Sequence, residues 1–285
     1  MTRPMVGIYF ILPATLVLLA LIAYPVVYTV LLSTQDAHGH FTGRNYLNVL
    51  RLPATRQAFL NLLYYVVVSI VFQLVIGTLV AILLNQKFPG RGVVRSVTLI
   101  PWVVPGIVAA TTWAWMFHTD FGIINYMLVE AHIIAKPVGW LTDSRTVLPT
   151  LVAINVWKGF PFVTVMVLAG LQAIPADLYE AAKVDGASFW EEQWHITLPQ
   201  VRPVLVAVTL LLLIWGINGI TLIYAITRGG PANLSLITPI QIYQLAFESF
   251  QFNEAAALSV LLFIVAAIIV AIYLRVIPSS RGDAR

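Results

Sequence analysis

Residues 58–85 read AFLNLLYYVVVSIVFQLVIGTLVAILLN, and no charged side chain interrupts this run. The hydrocarbon core of a bilayer is about 30 Å thick, so a helix needs about 20 largely apolar residues to cross it. Because that core contains no water, only a helix or a closed barrel can pair its own backbone groups there. The stretch therefore predicts a membrane-spanning helix.

Five other stretches share this length and composition. Of the 285 residues, 60% are apolar and only 10% are charged, whereas a soluble domain carries about 25% charged residues. The first run is too long for the apolar part of a cleaved signal peptide, so it is expected to remain as a span. The sequence thus predicts an all-α, polytopic membrane protein with six transmembrane helices, treated as one domain over residues 1–285. The other five spans are predicted near 6–33, 96–117, 147–170, 204–226 and 255–275.

The distribution of Lys and Arg predicts which ends of the spans face the cytoplasm, because cytoplasmic loops carry an excess of these residues. With both termini inside, nine basic residues fall on the cytoplasmic side and six on the outer side. This favours a multi-pass protein of the cell membrane with cytoplasmic N- and C-termini. The inner set is Arg3, Lys87, Arg91, Arg95, Lys183, Arg202, Arg275, Arg281 and Arg285, and the outer set is Arg44, Arg51, Arg56, Lys136, Arg145 and Arg228.

Composition also disfavours several classes of function. The chain has no cysteine, which excludes disulfides and thiolate metal sites. His38 and His40 are close enough in sequence to share a metal, but solvated loop histidines explain them better, so no metal site is predicted. The net charge of +4 is scattered without a basic block, which disfavours nucleic acid as a partner. No GxxxxGK[ST] motif occurs, so this chain is not expected to hold ATP itself.

The segment between the fourth and fifth spans, about residues 172–202, has the most local structure. Asp177 with Glu180 and Ser188 with Glu191 each match a capping box, which predicts helices over 178–184 and 189–195. Asp185-Gly186 between them is turn chemistry, and Pro199 is expected to close the second helix. Apolar side chains on these helices either anchor a partner groove or pack against the protein's own span ends. From the residues alone both interpretations stay open.

The same segment carries a spaced pattern. Glu180-Ala181-Ala182, three residues, Gly186, nine residues, Ile196, one residue and Leu198-Pro199 follow one another. This resembles the EAA signature of the permease subunits of bacterial ATP-binding-cassette (ABC) importers. The resemblance implies that Glu180, Ala181, Ala182 and Gly186 dock into a cleft of a separate ATPase subunit. It also implies that Ile196, Leu198 and Pro199 close the loop structurally.

Other stretches extend this resemblance over nearly the whole chain. They are similar to the carbohydrate-uptake branch of the family, the MalF-like permeases in their six-span form, including trehalose importers of the mycobacterial type. The resemblance implies a type I importer permease with a cytoplasmic coupling helix, carrying a di- or oligosaccharide such as trehalose. The stretches are YFILPATLVLLALIAYPVVYTVLLS (9–33), GRNYLNVL (43–50), VWKGFPFVTVMVLAGLQAIPADLYEAA (156–182) and TRGGPANLSLITPIQIYQLAFESFQFNEAAALS (227–259).

The resemblance also implies a set of partners. These are a second permease subunit, two ATP-binding subunits, an extracytoplasmic solute-binding protein, the sugar and the lipid membrane. ATP and Mg²⁺ would then be held by the ATPase subunits, so this chain is expected to be a permease without a cofactor of its own and not an enzyme. Without the resemblance, the main alternative is a secondary transporter or channel for a small polar solute. Such a protein needs an ion relay of buried carboxylates, which the predicted spans lack.

Polar residues inside the predicted spans are the candidates for a translocation path, because ionisable groups at bilayer depth are costly. Lys158 lies near the middle of the fourth span, with Asn155 on nearly the same face. Either this face lines the path, or Lys158 pairs with a neighbouring helix or reaches the interface. Asn218 and Gln73 are further candidates, each also explained by an interhelical hydrogen bond.

The predicted outer loops contain two further features. FGIINYMLVEAHIIA, residues 121–135, is too short and too charged for another span and predicts a short helix at the outer surface. Gly229-Gly230-Pro231 predicts a turn. The resemblance adds that Gly229, Gly230 and Pro231 contact the solute-binding protein.

Overall fold

The computed structural model describes residues 3–276, with side chains for residues 11–275. This part of the chain is almost entirely helical, and an isolated bridge between Gln35 and Phe41 is its only strand-like pairing. Three π-helical turns, Leu19–Ala23, Gln193–Thr197 and Gln244–Glu248, interrupt the α-helices. The α-helices are α1 (Arg3–Leu18), α2 (Tyr24–Ser33), α3 (Arg44–Arg51), α4 (Pro53–Asn85), α5 (Arg91–Val103), α6 (Gly106–Met116), α7 (Ile123–Glu130), α8 (Val147–Gln172), α9 (Ala176–Val184), α10 (Phe189–Glu192), α11 (Leu198–Asn218), α12 (Thr221–Thr227), α13 (Thr238–Tyr243) and α14 (Phe252–Val276).

The predicted all-α membrane fold is confirmed. Within the described residues, five helical segments are long and apolar enough to cross a membrane, and a bent pair makes a sixth if it counts as one span. The predicted short helix within 121–135 is present as α7. The five segments are Ile11–Ser33, Pro53–Asn85, Val147–Gln172, Phe189–Thr227 and Phe252–Arg275.

The predicted third span, 96–117, is broken. Helices α5 and α6 meet at a bend of 93°. Val104 between them has φ −58° and ψ 128°, which is the extended backbone that a following proline imposes, since the ring of Pro105 clashes with a helical predecessor. Two dihedral angles at one X-Pro step therefore turn an apolar run into two short helices.

The predicted fifth span, 204–226, is also interrupted. Helix α11 ends at Asn218 and α12 begins at Thr221, with Gly219 as the C-cap of α11. A Cβ added at Gly219 would lie 2.9 Å from the Trp215 carbonyl oxygen. The helix therefore breaks at a residue whose backbone lies close to the Trp215 carbonyl, which glycine allows because it has no Cβ.

Contacts divide the described chain into two compact units. Residues 3–56 with 238–267 form the first, and residues 57–237 with 268–276 form the second. The prediction of one domain over residues 1–285 stays a prediction. The second unit contains a core between α4, α8 and α11, made by Ala81, Leu84, Val163, Val167, Leu168, Leu171, Val201, Val208 and Leu212. The first unit contains a smaller core made by Val49, Leu245, Ala246, Ala255 and Leu258.

Glycine brings α4 and α8 into close contact in the second unit. A Cβ added at Gly77 would lie 2.5 Å from Val163 Cβ and 2.9 Å from the Phe160 carbonyl oxygen. Real Cβ atoms do not approach that closely, so the two helices pack at a separation that only glycine permits. In membranes, where lipid is as apolar as the helix surface, such close packing is a main source of helix association.

We expect Gly77→Val to destabilise the protein by about 1–3 kcal/mol, because the added carbons overpack the contact with Val163. The measurement is thermal unfolding of the purified chain in detergent. Gly92→Val in α5 is the matched control, since a Cβ there meets nothing within 4 Å. Equal melting temperatures for the two variants would contradict the close packing.

Candidate functional site

A cavity of about 350 Å³ lies within the second unit, between α4, α5, α6, α8, α11 and α12. Its walls combine aromatic rings with polar groups. The rings of Trp102 and Phe162 lie 5.8 Å apart, and those of Phe162 and Trp215 lie 4.9 Å apart. Three of the four predicted path residues, Gln73, Asn155 and Lys158, line this cavity, together with Tyr65 and Ser69.

Lys158 is paired with the broken third span. Its Nζ donates a hydrogen bond to the Val104 carbonyl oxygen at 2.6 Å. In an unbroken helix that carbonyl would accept the amide of residue 108, but the turn before Pro105 removes it from the ladder. A cation at the C-terminal end of α5 is favourable, because the helix dipole places partial negative charge there. The costly lysine and the broken helix therefore satisfy each other.

Gln73 joins α4 to α8 beside this lysine. Its side chain is buried, and its Nε2 donates to the backbone carbonyl oxygen of Asn155 at 2.9 Å. Gly159 leaves the room for that amide, since an added Cβ would overlap the Gln73 side chain. The Asn155 carbonyl is held by this bond while the residue lines the cavity. Gln73 and Asn155 thus form an interhelical hydrogen bond and also line the cavity.

Asn218 stands apart from the other three candidates. Its Nδ2 donates to the Ile214 carbonyl oxygen of its own helix at 2.8 Å, and it is not among the residues that line the cavity. The neighbouring Gly216 and Gly219 do line it. Asn218, a candidate from the sequence, therefore does not line the cavity, although Gly216 and Gly219 beside it do.

Sequence reasoning missed Ser69. Its side chain is buried, and its hydroxyl has no hydrogen-bond partner in the described part of the chain, although it lines the cavity. The position precedes Gln73 by four residues, so the two share one face of α4. That i, i+4 spacing of two polar side chains in an apolar helix was the signal that would have found it.

The segment between α8 and α11, termed the elbow here and comprising α9 and α10, differs at its start from the prediction. Helix α9 begins at Ala176 with Pro175 as its N-cap and no side-chain cap, so the predicted capping box of Asp177 with Glu180 is wrong. Proline already provides the preset φ and the missing amide that a helix start tolerates. Asp177 instead lies in the first turn, where its charge suits the helix dipole.

The second capping box is confirmed. The Ser188 amide donates to Glu191 Oε2 at 2.7 Å, and the Glu191 amide donates to Ser188 Oγ at 3.4 Å. Helix α10 therefore has a fixed start at Ser188.

The predicted turn at Gly186 is confirmed, and Gly186 directly follows Asp185, the C-cap of α9. Gly186 has φ +79°, its amide donates to the Lys183 carbonyl at 3.1 Å, and the Ala187 amide donates to the Ala182 carbonyl at 2.9 Å. This pair of bonds is the Schellman motif, which requires a left-handed residue and so favours glycine. The motif sets the angle between α9 and α10.

Pro199 does not close a helix, so that prediction is wrong. The chain stays helical from Phe189 through the π turn Gln193–Thr197 into α11, where Pro199 sits in the first turn. The Leu198 amide donates to the Gln193 carbonyl, five residues earlier. The wider turn immediately before the ring explains why the proline is accommodated rather than ending the helix. Predicted loop residues Ile196 and Leu198 therefore lie on this continuous helix.

The elbow presents apolar side chains on its surface. None of the side chains of α9 is buried, and Val184 is 88% exposed while Trp190 is 66% exposed. The hydroxyl groups of Tyr179 and Thr197 share a hydrogen bond at 3.0 Å, which ties α9 to the π turn before α11. Of the two interpretations that the sequence left open, packing against the protein's own span ends does not cover α9.

The predicted turn at Gly229-Gly230-Pro231 is present, with Gly229 at φ +87°. The segment that follows this turn is held by Asn61 of α4, a buried residue that sequence reasoning missed. Asn61 Nδ2 donates to the carbonyl oxygens of Leu236 at 2.8 Å and Leu234 at 3.1 Å. A side-chain amide near the start of the apolar run 58–85 was the available signal.

Comparison with known proteins identifies the family. A model described as "Binding-protein-dependent transport system inner membrane component" matches residues 73–280. The chain belongs to this family. It is thus an inner membrane component of a transport system, as its apolar helices require, and the permease resemblance is confirmed.

Individual relatives agree over nearly the full length. The trehalose/maltose transport system permease protein MalF of Thermococcus litoralis is 37% identical over 279 residues, covering 95% of this chain and 92% of that protein. The maltodextrin transport system permease protein MdxF of Bacillus subtilis is 31% identical over 280 residues, covering 89% of this chain and 64% of that protein.

A solved structure shows the same fold. The crystal structure of a bacterial alginate ABC transporter, in complex with an alginate pentasaccharide-bound periplasmic protein, contains a chain that matches with a TM-score of 0.85 and 22% identity. The match covers 95% of this chain and 93% of that chain. The predicted importer-permease fold is therefore confirmed.

We expect Lys158→Met to relax the bend between α5 and α6, because it leaves the Val104 carbonyl unpaired at a cost of about 1–3 kcal/mol. That energy corresponds to a population shift of about 5- to 150-fold. Spin labels at the exposed positions Val97 and Ile107 report the distance across the bend by electron paramagnetic resonance.

Lys158→Arg keeps a charged donor and is expected to keep the distance distribution. Asn218→Leu, which removes a hydrogen bond within one helix only, is the matched control. A Met variant with the same distribution as the control would show that the lysine does not hold the bend.

Proposed function

We propose that this chain is the transmembrane subunit of an ATP-driven importer and forms part of the translocation path for a sugar. The observation that carries the proposal is the aromatic-walled polar cavity at the broken third span. The names of its relatives, which refer to trehalose, maltose and maltodextrin, support a di- or oligosaccharide such as trehalose.

The chemistry of the cavity suits a sugar. Ser69, Gln73 and Asn155 offer neutral donors and acceptors of the kind that pair with hydroxyl groups. The rings of Trp102 and Trp215 offer apolar faces for the C–H faces of a pyranose. The volume of about 350 Å³ lies within the range of about 300–1,000 Å³ that is typical of small-molecule sites. In this proposal Lys158 and Asn155 line the path. Asn218 does not line it and would affect it only through its own helix, α11.

Energy would arrive through the elbow. Glu180, Ala181, Ala182 and Gly186 would seat in a cleft of one ATPase subunit, with Ile196, Leu198 and Pro199 shaping the connection to α11. The exposed side chains of α9 and the small Ala181 and Ala182 support docking. Coupling requires that the ATP-bound partner favour one conformation of this chain over the other, since equal affinity for both shifts nothing.

The partners in this proposal are a second permease subunit, two ATP-binding subunits that hold ATP and Mg²⁺, and a solute-binding protein. None of the side chains of residues 11–32 is buried within this chain, which supports a helix that packs against another subunit or lipid. Gly229, Gly230 and Pro231 would contact the solute-binding protein. Both termini would lie in the cytoplasm, and Arg281 and Arg285, which support this orientation, lie outside the described residues.

The alternative, a secondary transporter or channel, is less favoured. The described residues that line the cavity include no Asp or Glu, so an ion relay of carboxylates has no place there. Membership in a binding-protein-dependent family also points to external energy.

The proposal is tested by vesicle uptake. The chain is reconstituted with an ATPase subunit, a second permease subunit and a solute-binding protein of the same organism, and labelled trehalose and maltose are offered as probes. We expect uptake of at least one probe that requires ATP on the ATPase side. Uptake that continues at the same rate without the ATPase would support the secondary transporter instead.

Coupling has its own test. We expect Val184→Glu, which places a charge on the exposed face of α9 without disturbing a buried contact, to lower ATP-driven uptake at least about tenfold, a loss of about 1.4 kcal/mol in coupling. Ile133→Glu is the control, since Ile133 is 69% exposed and lies outside the elbow. Equal uptake rates for the two variants would speak against docking by α9.

A further inference from the structure

A second pocket lies wholly within the first unit, far in sequence from the residues that line the cavity. It has a volume of about 570 Å³, which is within the range of about 300–1,000 Å³ that small-molecule sites show. Two short segments form it, one before and within α3 and one at the start of α14. We name it the first-unit pocket, and its principal residues are Asp36, Phe41, Arg44, Asn48, Phe250 and Glu254.

Phe250 stands at a position that favours glycine. Its φ is +57°, a left-handed backbone that is an outlier for a bulky side chain and free for glycine. It follows the π turn Gln244–Glu248, and bonds from the Ser249 amide to the Gln244 carbonyl at 2.8 Å and from the Gln251 amide to the Leu245 carbonyl at 2.7 Å fix this conformation. Strain of this kind is held by the surrounding structure and concentrates at functional sites.

The ring that this strained residue carries is 72% exposed. Burial therefore does not explain why phenylalanine stands there. Phe41, on the opposite segment, is 76% exposed and lines the same pocket. Two exposed rings flanking a concave polar surface are the arrangement that can receive the C–H faces of a sugar.

The segment that carries Phe41 is fixed in shape. The Asp36 amide donates to the His40 carbonyl at 2.9 Å, and the Thr42 amide donates to the Thr34 carbonyl at 2.7 Å. Asp36 Oδ1 in turn accepts the amides of His38 at 2.8 Å and His40 at 2.9 Å. The loop is thus organised before any ligand arrives, which lowers the entropic cost of binding.

The polar groups between the rings can exchange hydrogen bonds with hydroxyls. The backbone amides of His40 and His38 hold the pKa of the Asp36 carboxyl below its ordinary value, so it is ionised at neutral pH. Asn48 Nδ2 donates to Glu254 Oε1 at 2.8 Å, and each of these side chains keeps a second polar atom. The guanidinium of Arg44 adds donors beside these acceptors. The wall therefore offers both donors and acceptors to hydroxyl groups.

We propose that the first-unit pocket is a second carbohydrate-binding subsite, separate from the cavity of the second unit. It takes a mono- or disaccharide unit between Phe41 and Phe250, with Asp36, Asn48 and Glu254 accepting hydrogen bonds from the hydroxyl groups of the sugar. The identity of the ligand as a sugar rests on the proposed function. The other occupant that exposed rings fit is a protein surface, and the experiment below separates the two.

The test uses the full chain in lipid nanodiscs, with trehalose and maltose as probes in saturation-transfer nuclear magnetic resonance. Phe250→Gly removes the ring and relieves the backbone. We expect it to weaken the binding of at least one probe by about fivefold or more, since an aromatic contact is lost, while the melting temperature stays equal or rises. Phe41→Ala is expected to weaken binding similarly.

Phe247→Ala is the matched control, because Phe247 is 62% exposed in the same segment but does not line the pocket. Unchanged probe binding in Phe250→Gly would overturn the proposal, as would a lower melting temperature, which would show that the ring is retained for packing. Loss of solute-binding-protein association with unchanged sugar binding would identify a protein contact and also overturn it.

These results are separable from the proposed function. Binding that depends on Phe250 in a chain that shows no ATP-driven sugar uptake would leave the pocket standing and remove the importer proposal. If uptake is ATP-driven but Phe250→Gly leaves probe binding unchanged, the importer proposal stands and the proposal of a sugar subsite in the first-unit pocket is overturned. A cavity variant, Trp215→Ala, completes the design, because it should lower uptake and leave Phe250-dependent binding in place.

Discussion

The hydrogen bond from Lys158 to the Val104 carbonyl links the strongest physical constraint on this protein to its candidate site. In a bilayer every backbone group must find a partner within the protein, because water is absent. The Val104-Pro105 step breaks the third span and releases a carbonyl. A lysine that would otherwise be a costly charge becomes the cap for that carbonyl. The bend that shapes the cavity is stable because Lys158 and the Val104 carbonyl each provide the polar partner that the other needs.

Glycine and polar side chains act together around the same space. Gly77 lets α4 approach α8, and one turn earlier Gln73 uses that proximity to reach the Asn155 carbonyl. Gly159 gives the amide its room. Close packing and a buried hydrogen bond are usually described as separate means of joining membrane helices, but here the second depends on the first.

The sequence predicted what depends on length, composition and local chemistry. The apolar runs located the spans, Ser188 with Glu191 located a helix start, and Gly186 located a left-handed turn. Failures arose where proline had two possible roles. Pro175 is the N-cap of α9, which Asp177 was expected to cap, and Pro199 lies within a continuous helix that it was expected to end. A single sequence does not tell a proline that ends a helix from one preceded by a π turn. The partners of Ser69 and Asn61 depend on tertiary contacts, so spacing alone indicated only that these residues were unusual.

The π turn before Pro199 has a mechanical consequence. A loop ended by proline would leave a soft joint between the elbow and the membrane. Here the backbone is helical without a gap from Phe189 to Asn218, and Trp215 and Gly216 near its far end belong to the cavity wall. The segment thus joins α10 to the cavity wall through helical backbone with no loop between them, so a displacement of α10 reaches the cavity through a helix.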